Sequence, residues 1–233
     1  MINIPYLELQ LYLMDYLNKT NTNFTNEELN RVKELSLDSI GLFNNFNKID
    51  PKILKYFNNL EILEISNTNI DKDYIDSLLS LNNLKSLSFT NCNITNLGIL
   101  SKLKITKLII NNCTINNMLD VTRFKHLNTI GLINMSIDSI SFLEQLPHLL
   151  EIDLSFSNIS NISSLYHFTL IDTLRLDNSS IIDLDFINKY SALKTISISE
   201  AQYQKNKALI DDLISLKIIV YKDSIICLND LVV

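Results

Sequence analysis

The stretch Leu84-Lys85-Ser86-Leu87-Ser88-Phe89 decides the fold, because its apolar residues stand at positions one, four and six. The same pattern, with Ile or Val sometimes replacing Leu, begins at Val32, Leu60, Leu84, Ile105, Leu127, Leu149, Ile171 and Leu193. From Leu60 onwards the intervals between starts are 24, 21, 22, 22, 22 and 22 residues. Self-similarity at a fixed period of this length indicates a repeat array.

Each unit combines two hydrophobic periods. Positions four and six alternate with other residues, which indicates a short strand with one buried face. After the strand, apolar residues recur at every third position, as in Ile137, Ile140, Leu143 and Leu146. A period of three is typical of a 3₁₀ turn. Because one unit cannot bury its apolar face alone, we expect the units to stack into a parallel sheet over one continuous core.

This pattern resembles the leucine-rich-repeat family, in particular the 22-residue class of bacterial internalin-like proteins, over roughly residues 32–200. The resemblance implies an α/β solenoid, a right-handed arc with a parallel β-sheet on its concave face and 3₁₀ or short helical turns on its convex face. The chain departs from the family at position nine, where Asn is common; here stand Thr68, Cys92, Cys113, Met135, Ser157 and Ser179. Asn occurs one place earlier, where it suits a tight turn, at Asn67, Asn91, Asn112, Asn134 and Asn178.

Two segments flank the array, and we expect them to cap it. Residues 1–31 are the predicted N-terminal helical cap, with a helix over 5–18 and a capping box in which Thr25 and Glu28 bond each other's backbone. The apolar face of the helix is predicted to carry Leu7, Leu11, Met14 and Leu17.

Residues 32–200 are predicted to hold about eight repeats, and residues 201–233 a C-terminal cap. In this cap the pattern favours a helix over 203–213 and strands over 217–221 and 224–228. The presence of both caps leads us to expect a complete protein.

Composition excludes several classes of function. The net charge of −6 repels a phosphate backbone, so we expect no nucleic-acid partner. Three glycines leave little material for a phosphate-binding loop. The sequence shows neither a signal peptide nor a membrane-spanning run, so we expect a cytoplasmic protein, with a secreted mature form as the alternative.

Candidate chemistry is sparse. His126 and His148 end successive repeats, but zinc needs three or four ligands, so we interpret them as solvated turn residues and expect no metal site. Cys92 and Cys113 share an inward repeat position, which favours two buried reduced thiols over a disulfide. Paired acids on an open sheet lack a closed pocket. We therefore expect no enzyme activity and no cofactor.

Binding is predicted on the open strand face, where positions three, five and seven point outward. Most of these residues are small and polar, but Ile109 and Ile133 are apolar, and Phe156 follows close by. A cluster of this kind is a candidate hot spot, unless side chains of neighbouring coils cover the two isoleucines. The predicted charged surroundings of the cluster are Glu151, Asp153, Arg175 and Asp177.

The sequence thus predicts a monomeric, non-enzymatic module that holds a protein partner on its concave face, where the acidic residues favour a basic partner. Adaptors, inhibitors and host- or toxin-directed binders all fit this description. The alternative is a passive structural or adhesive segment at a cell surface, for which export of the native protein would be the discriminating observation.

Overall fold

The computed structural model describes residues 2–37, 49–213, 217–221 and 225–227, with side chains up to residue 213. The chain packs as two compact units, Met1–Leu108 with Cys113–Phe124, and Ile109–Asn112 with Lys125–Val233. The strands in chain order are β1 (Glu34–Ser36), β2 (Ile62–Ser66), β3 (Asn69–Ile70), β4 (Ser86–Thr90), β5 (Asn93–Ile94), β6 (Lys107–Asn111), β7 (Thr114–Ile115), β8 (Thr129–Ile133), β9 (Ser136–Ser139), β10 (Glu151–Asp153), β11 (Asn158–Asn161), β12 (Thr173–Arg175), β13 (Thr195–Ser199), β14 (Lys217–Tyr221) and β15 (Ile225–Cys227).

The eight predicted repeats each contribute one strand at the predicted place: β1, β2, β4, β6, β8, β10, β12 and β13. In the first unit β2 pairs in parallel with β1 and β4. In the second unit β8, β10, β12, β13 and β14 pair in parallel in that order, and β15 closes the sheet antiparallel to β14. Equivalent repeat positions face each other throughout, as Ile152 faces Ile130 and Leu174. The predicted parallel sheet and register are confirmed.

The predicted tight turns are also present. Six 3₁₀ helices lie in the described part of the chain: Pro51–Tyr56, Leu97–Lys102, Met118–Arg123, Ser141–Gln145, Ser163–Tyr166 and Asp185–Lys189. The 24-residue unit that begins at Leu60 instead forms an α-helix, α3 (Lys72–Leu78), which its two extra residues accommodate. Short parallel pairings that the sequence did not predict follow the main strands, β3–β5–β7 in the first unit and β9–β11 in the second.

The core is built from repeat positions one, four and six. Leu127, Ile130 and Leu132 are at most 1% exposed. Burying one such side chain contributes roughly 1.5–3 kcal/mol, and Ile140 and Leu143 on the turn side of the same coil are buried as well. Position nine also points inward, since Ser157 is buried and its hydroxyl donates to the carbonyl of Leu132 at 2.7 Å. This bond joins two consecutive coils.

Helices precede the first strand. They are α1 (Leu7–Tyr16) and α2 (Asn26–Leu29), and the capping box of Thr25 and Glu28 is confirmed. The predicted apolar face of α1 is wrong at Leu7 and Leu11, which are exposed, and right at Leu17, which is buried just after the helix ends. Within the helix the buried leucines are Leu9 and Leu13, one turn apart.

The segment after β13 begins with two short helices, α4 (Glu200–Lys205) and α5 (Lys207–Asp211), where one longer helix was predicted. The strands β14 and β15 follow at the predicted places. No helix in the described part of the chain is long and apolar enough to cross a membrane.

Candidate functional site

All seven predicted binding residues lie in the second unit, so their geometry can be described within one compact body. Ile109 is the middle residue of β6, Ile133 ends β8, and Phe156 follows β10. Strands β10 and β12 supply the charged residues Glu151, Asp153 and Arg175, and Asp177 comes just after β12.

The two isoleucines meet over a glycine. A Cβ atom added at Gly131 would lie 2.7 Å from Cδ1 of Ile109 and 3.5 Å from Cδ1 of Ile133. Both side chains therefore occupy the space that a larger residue at this position would fill. Each isoleucine is partly exposed. The two isoleucines are therefore neither fully exposed nor fully covered by neighbouring coils. With Gly131 they form a shallow apolar surface, called here Ile109–Gly131–Ile133.

Gly131 also belongs to the site, although it was not predicted from the sequence. It is the only glycine on positions three, five and seven, and it stands between two isoleucines on the same face. This combination is the signal that could have identified it, because the absence of a side chain lets its neighbours converge.

Phe156 is the most unusual residue of the site. It takes repeat position eight, where five of the other coils have Asn, namely Asn67, Asn91, Asn112, Asn134 and Asn178. All six residues have positive φ, and that of Phe156 is 59°. Asn adopts this left-handed conformation readily, whereas a bulky side chain in it is a strained outlier. The Phe156 side chain is nevertheless 57% exposed, so the strain is not offset by burial in the core.

Three of the predicted charged residues, Glu151, Asp153 and Arg175, form a paired cluster. Nε and Nη2 of Arg175 donate to Oε1 of Glu151 at 3.1 and 3.0 Å, and Nε lies 4.0 Å from Oδ2 of Asp153. Thr129 donates to the other Glu151 oxygen at 3.3 Å. Because one guanidinium bridges two carboxylates, the cluster keeps a single net negative charge.

Asp177 differs from its predicted role on the outward face, since its side chain is only 5% exposed. Its Oδ2 atom accepts hydrogen bonds from the hydroxyls of Ser155 and Ser197, while the buried Oδ1 atom has no hydrogen-bond partner among the residues that the structure describes. Burial raises the pKa of this carboxyl above its ordinary value, although the two serine hydrogen bonds act in the opposite direction. Asp177 therefore lies below the surface of the site, where it bonds the two serine hydroxyls and is not accessible to a partner.

The residues weighed for metal binding do not form a cluster. His126 and His148 are both exposed. Within the described residues no group of three or more His, Cys, Asp or Glu side chains could hold a metal ion.

Comparison with solved structures identifies the fold. Internalin C2 of Listeria monocytogenes is 21% identical, with a TM-score of 0.52, and the match covers 94% of this chain and 88% of that one. A leucine-rich-repeat protein of Leptospira interrogans is 18% identical, with a TM-score of 0.54 and coverage of 85% and 56%. The receptor TLR13, solved with a single-stranded RNA, is 17% identical, with a TM-score of 0.56 and coverage of 85% and 30%.

Comparison of the sequence with protein-family profiles found no match, and comparison with curated proteins found none either. At these identities a structural likeness shows the fold alone. The chain therefore has the leucine-rich-repeat fold, and the structures it is similar to include an internalin.

Proposed function

We propose that the chain is a non-enzymatic binding module that holds a protein partner on the open face of its sheet, centred on Ile109, Ile133 and Phe156. The observation that carries this proposal is Phe156, an exposed aromatic residue held in a strained backbone conformation where the repeat otherwise places Asn. Strained residues that add nothing to the core cluster at functional sites.

The shallow Ile109–Gly131–Ile133 surface supports the same location. Apolar side chains that are partly exposed on a sheet face can bury further area against a partner, at roughly 25 cal/mol per Å². A few such residues usually supply most of the binding energy of an interface. The exposed ring of Phe156 adds the aromatic component that is enriched at hot spots.

Charge favours a partner that is mildly basic. The pairing of Arg175 with Glu151 and Asp153 leaves one net negative charge beside the apolar surface. Long-range attraction is therefore weaker than three free carboxylates would give, and the cluster would mainly fix orientation. TLR13 was solved with RNA, but the net charge of −6 argues for a protein ligand here.

The proposed setting is the cytoplasm, supported by the two free thiols Cys92 and Cys113, which suit a reducing compartment. In the proposed organisation residues 1–31 and 201–233 cap a central repeat array. The bond from the Tyr12 hydroxyl to the carbonyl of Glu34, at 2.9 Å, supports the N-terminal cap, because it ties helix α1 to the first strand.

A matched pair of variants tests the proposal. The native chain, Ile133→Asp and Ile182→Asp are immobilised and exposed to a nuclease-treated lysate of the source cells, and captured proteins are identified by mass spectrometry. Ile182 is 39% exposed and lies outside the strand face, so its substitution controls for the added charge. We expect Ile133→Asp to lose a partner that Ile182→Asp retains, with the thermal unfolding of both variants nearly unchanged.

Two outcomes would contradict this assignment. Unfolding of Ile133→Asp would show that the residue belongs to the core. Equal capture by both variants would place the binding surface elsewhere on the chain.

A further inference from the structure

Cys92 and Cys113 stand at position nine of consecutive coils within the first unit. The residues that follow them, Asn93 and Thr114, face each other in the β5–β7 pair, and the amide of Thr114 donates to the carbonyl of Cys92 at 2.9 Å. Neighbouring strands lie about 4.8 Å apart, inside the Cα separation of about 4.4–6.8 Å that a disulfide spans. The two side chains are therefore placed for a covalent link without a shift of the backbone.

The two sulfur atoms already interact. The Cys92 amide donates to Sγ of Cys113 at 3.3 Å, and Sγ of Cys92 lies 3.3 Å from the carbonyl oxygen of Thr90 and 3.5 Å from that of Ile65. A hydrogen bond from the Cys113 thiol lowers the pKa of Cys92 below its ordinary value, in spite of its burial. A lowered pKa favours the thiolate, which is the nucleophilic form of cysteine.

Access to the pair is narrow, because Cys92 is 3% and Cys113 9% exposed. Bulky thiol reagents are excluded from such a position, whereas a small neutral oxidant can reach a buried sulfur during local fluctuations. Both side chains are thiols, not a disulfide, in this structure.

We propose that Cys92 and Cys113 form an oxidation site for hydrogen peroxide, which converts the two thiols into a disulfide between consecutive coils. The Cys92 thiolate attacks one peroxide oxygen, the O–O bond breaks, and hydroxide leaves and takes up a proton to become water. The sulfur has then lost two electrons and is a sulfenic acid. The sulfur of Cys113 attacks that of Cys92, and the departing hydroxyl takes the Cys113 proton to form a second water.

The disulfide is compatible with the buried position of the two cysteines. A disulfide is neutral, so it avoids burying the charge that the Cys92 thiolate carries in the apolar interior. The link also closes a loop of the chain between residues 92 and 113, which restricts the unfolded state and stabilises the folded one. Oxidation would therefore stiffen the first unit.

The test uses the full chain with Cys227→Ser, which removes the third cysteine, and compares it with Cys92→Ser and Cys113→Ser in the same background. Ser157 and Ser179 occupy position nine of later coils, so serine fits this place in the fold. The folded proteins are treated with hydrogen peroxide, digested under non-reducing conditions and analysed by mass spectrometry.

We expect the parent to show a Cys92–Cys113 crosslink with a mass loss of about 2 Da, and dithiothreitol to reverse it. A higher urea midpoint should accompany the crosslink. Each single-cysteine variant should lack the crosslink and the rise in midpoint, and Cys113→Ser should instead carry oxygen on Cys92. The proposal is overturned if both thiols survive peroxide in the folded parent, or if each cysteine gains oxygen independently without forming the link.

Discussion

Phe156 adopts the same left-handed backbone conformation as Asn134 one coil earlier, with φ of 59° and 52°. Position eight therefore takes this conformation with Phe as well as with Asn, although Glu200 at the same position of the last repeat begins helix α4 instead. The Phe156 amide also donates to the carbonyl of Asp177 at 2.7 Å, which holds the turn in place. Asn tolerates this conformation because its short polar side chain can form local hydrogen bonds, whereas phenylalanine is strained in it.

Phe156→Asn should accordingly raise the free energy of unfolding by about 1 kcal/mol, because it removes the left-handed penalty of a bulky residue. The same change should weaken partner binding, since the exposed ring is lost. Phe156→Ala is the matched control: it removes the ring but retains a Cβ-bearing residue without the local hydrogen bonds of Asn. Urea unfolding and binding measurements on both variants give the comparison. A loss of stability in Phe156→Asn would show that the ring supports the fold.

Asp177 provides a prediction about pH. Its folded pKa is raised above the ordinary 3.8, so the folded state holds the proton more tightly than the unfolded chain. Stability from this group is complete below 3.8 and is lost as the pH rises through the folded pKa. Asp177→Asn should therefore be more stable than the native chain at neutral pH and should lose that part of the pH dependence.

Urea unfolding between acidic and neutral pH checks this expectation, with Asp138→Asn as the control, since Asp138 is exposed and the charge change is identical. If Asp177→Asn is less stable than the native chain at neutral pH, the ionised carboxylate is a net stabiliser, and burial is not the dominant influence on it.

Much of the fold could be predicted because every repeat has apolar residues at the same positions. Positions one, four and six identify the strands, and the left-handed turn at position eight follows from its asparagines. Helix α1 lies outside the repeats, and its leucines allow two alternative buried faces. Only packing against the first coil selects between them.

The candidate site was less predictable because it depends on contacts across coils. The burial of Asp177 arises from its place beside Ser155 and Ser197, which alternation along one strand does not reveal. The pairing of Arg175 with Glu151 likewise joins neighbouring strands. The repeat period predicts which face of the sheet a residue lies on. Whether a charged side chain forms an ion pair depends on how far it extends towards the neighbouring strand.

Gly131→Ala tests the convergence of the two isoleucines. The new Cβ would lie 2.7 Å from the flexible tip of Ile109, so this side chain must turn away. Stability should change by less than about 1 kcal/mol, because alanine is better than glycine in a strand and only a side-chain end moves. Partner affinity should fall roughly tenfold, equivalent to about 1.4 kcal/mol of lost surface complementarity.

Methyl NMR of the isoleucines, together with the dissociation constant, checks the Gly131→Ala result. Ser88→Ala changes the same repeat position in an earlier coil and should leave both readouts unaltered. Unchanged affinity with a displaced Ile109 methyl would remove this surface from the binding site.

Gln202 supplies the last prediction. Its side chain is fully buried, and its amide donates to the carbonyls of Leu176 and Ile181 at 2.9 and 2.7 Å. The side-chain oxygen accepts from the amide and hydroxyl of Ser199. Gln202 thus gives the last coil the bonding between coils that Ser157 gives an earlier one.

Replacing Gln202 with Ala would remove this partner from the carbonyl of Ile181 and from the amide and hydroxyl of Ser199, whereas the carbonyl of Leu176 would keep its bond from the Ser179 amide at 3.0 Å. Each such group costs about 1–3 kcal/mol, so Gln202→Ala should lower the free energy of unfolding by roughly 3 kcal/mol or more. Gln204→Ala, two residues along the same helix α4 at an exposed position, should change it by less than about 0.5 kcal/mol. Equilibrium urea unfolding distinguishes the two. Equal stability of both variants would mean that water satisfies the freed groups and that this end of the array is open to solvent.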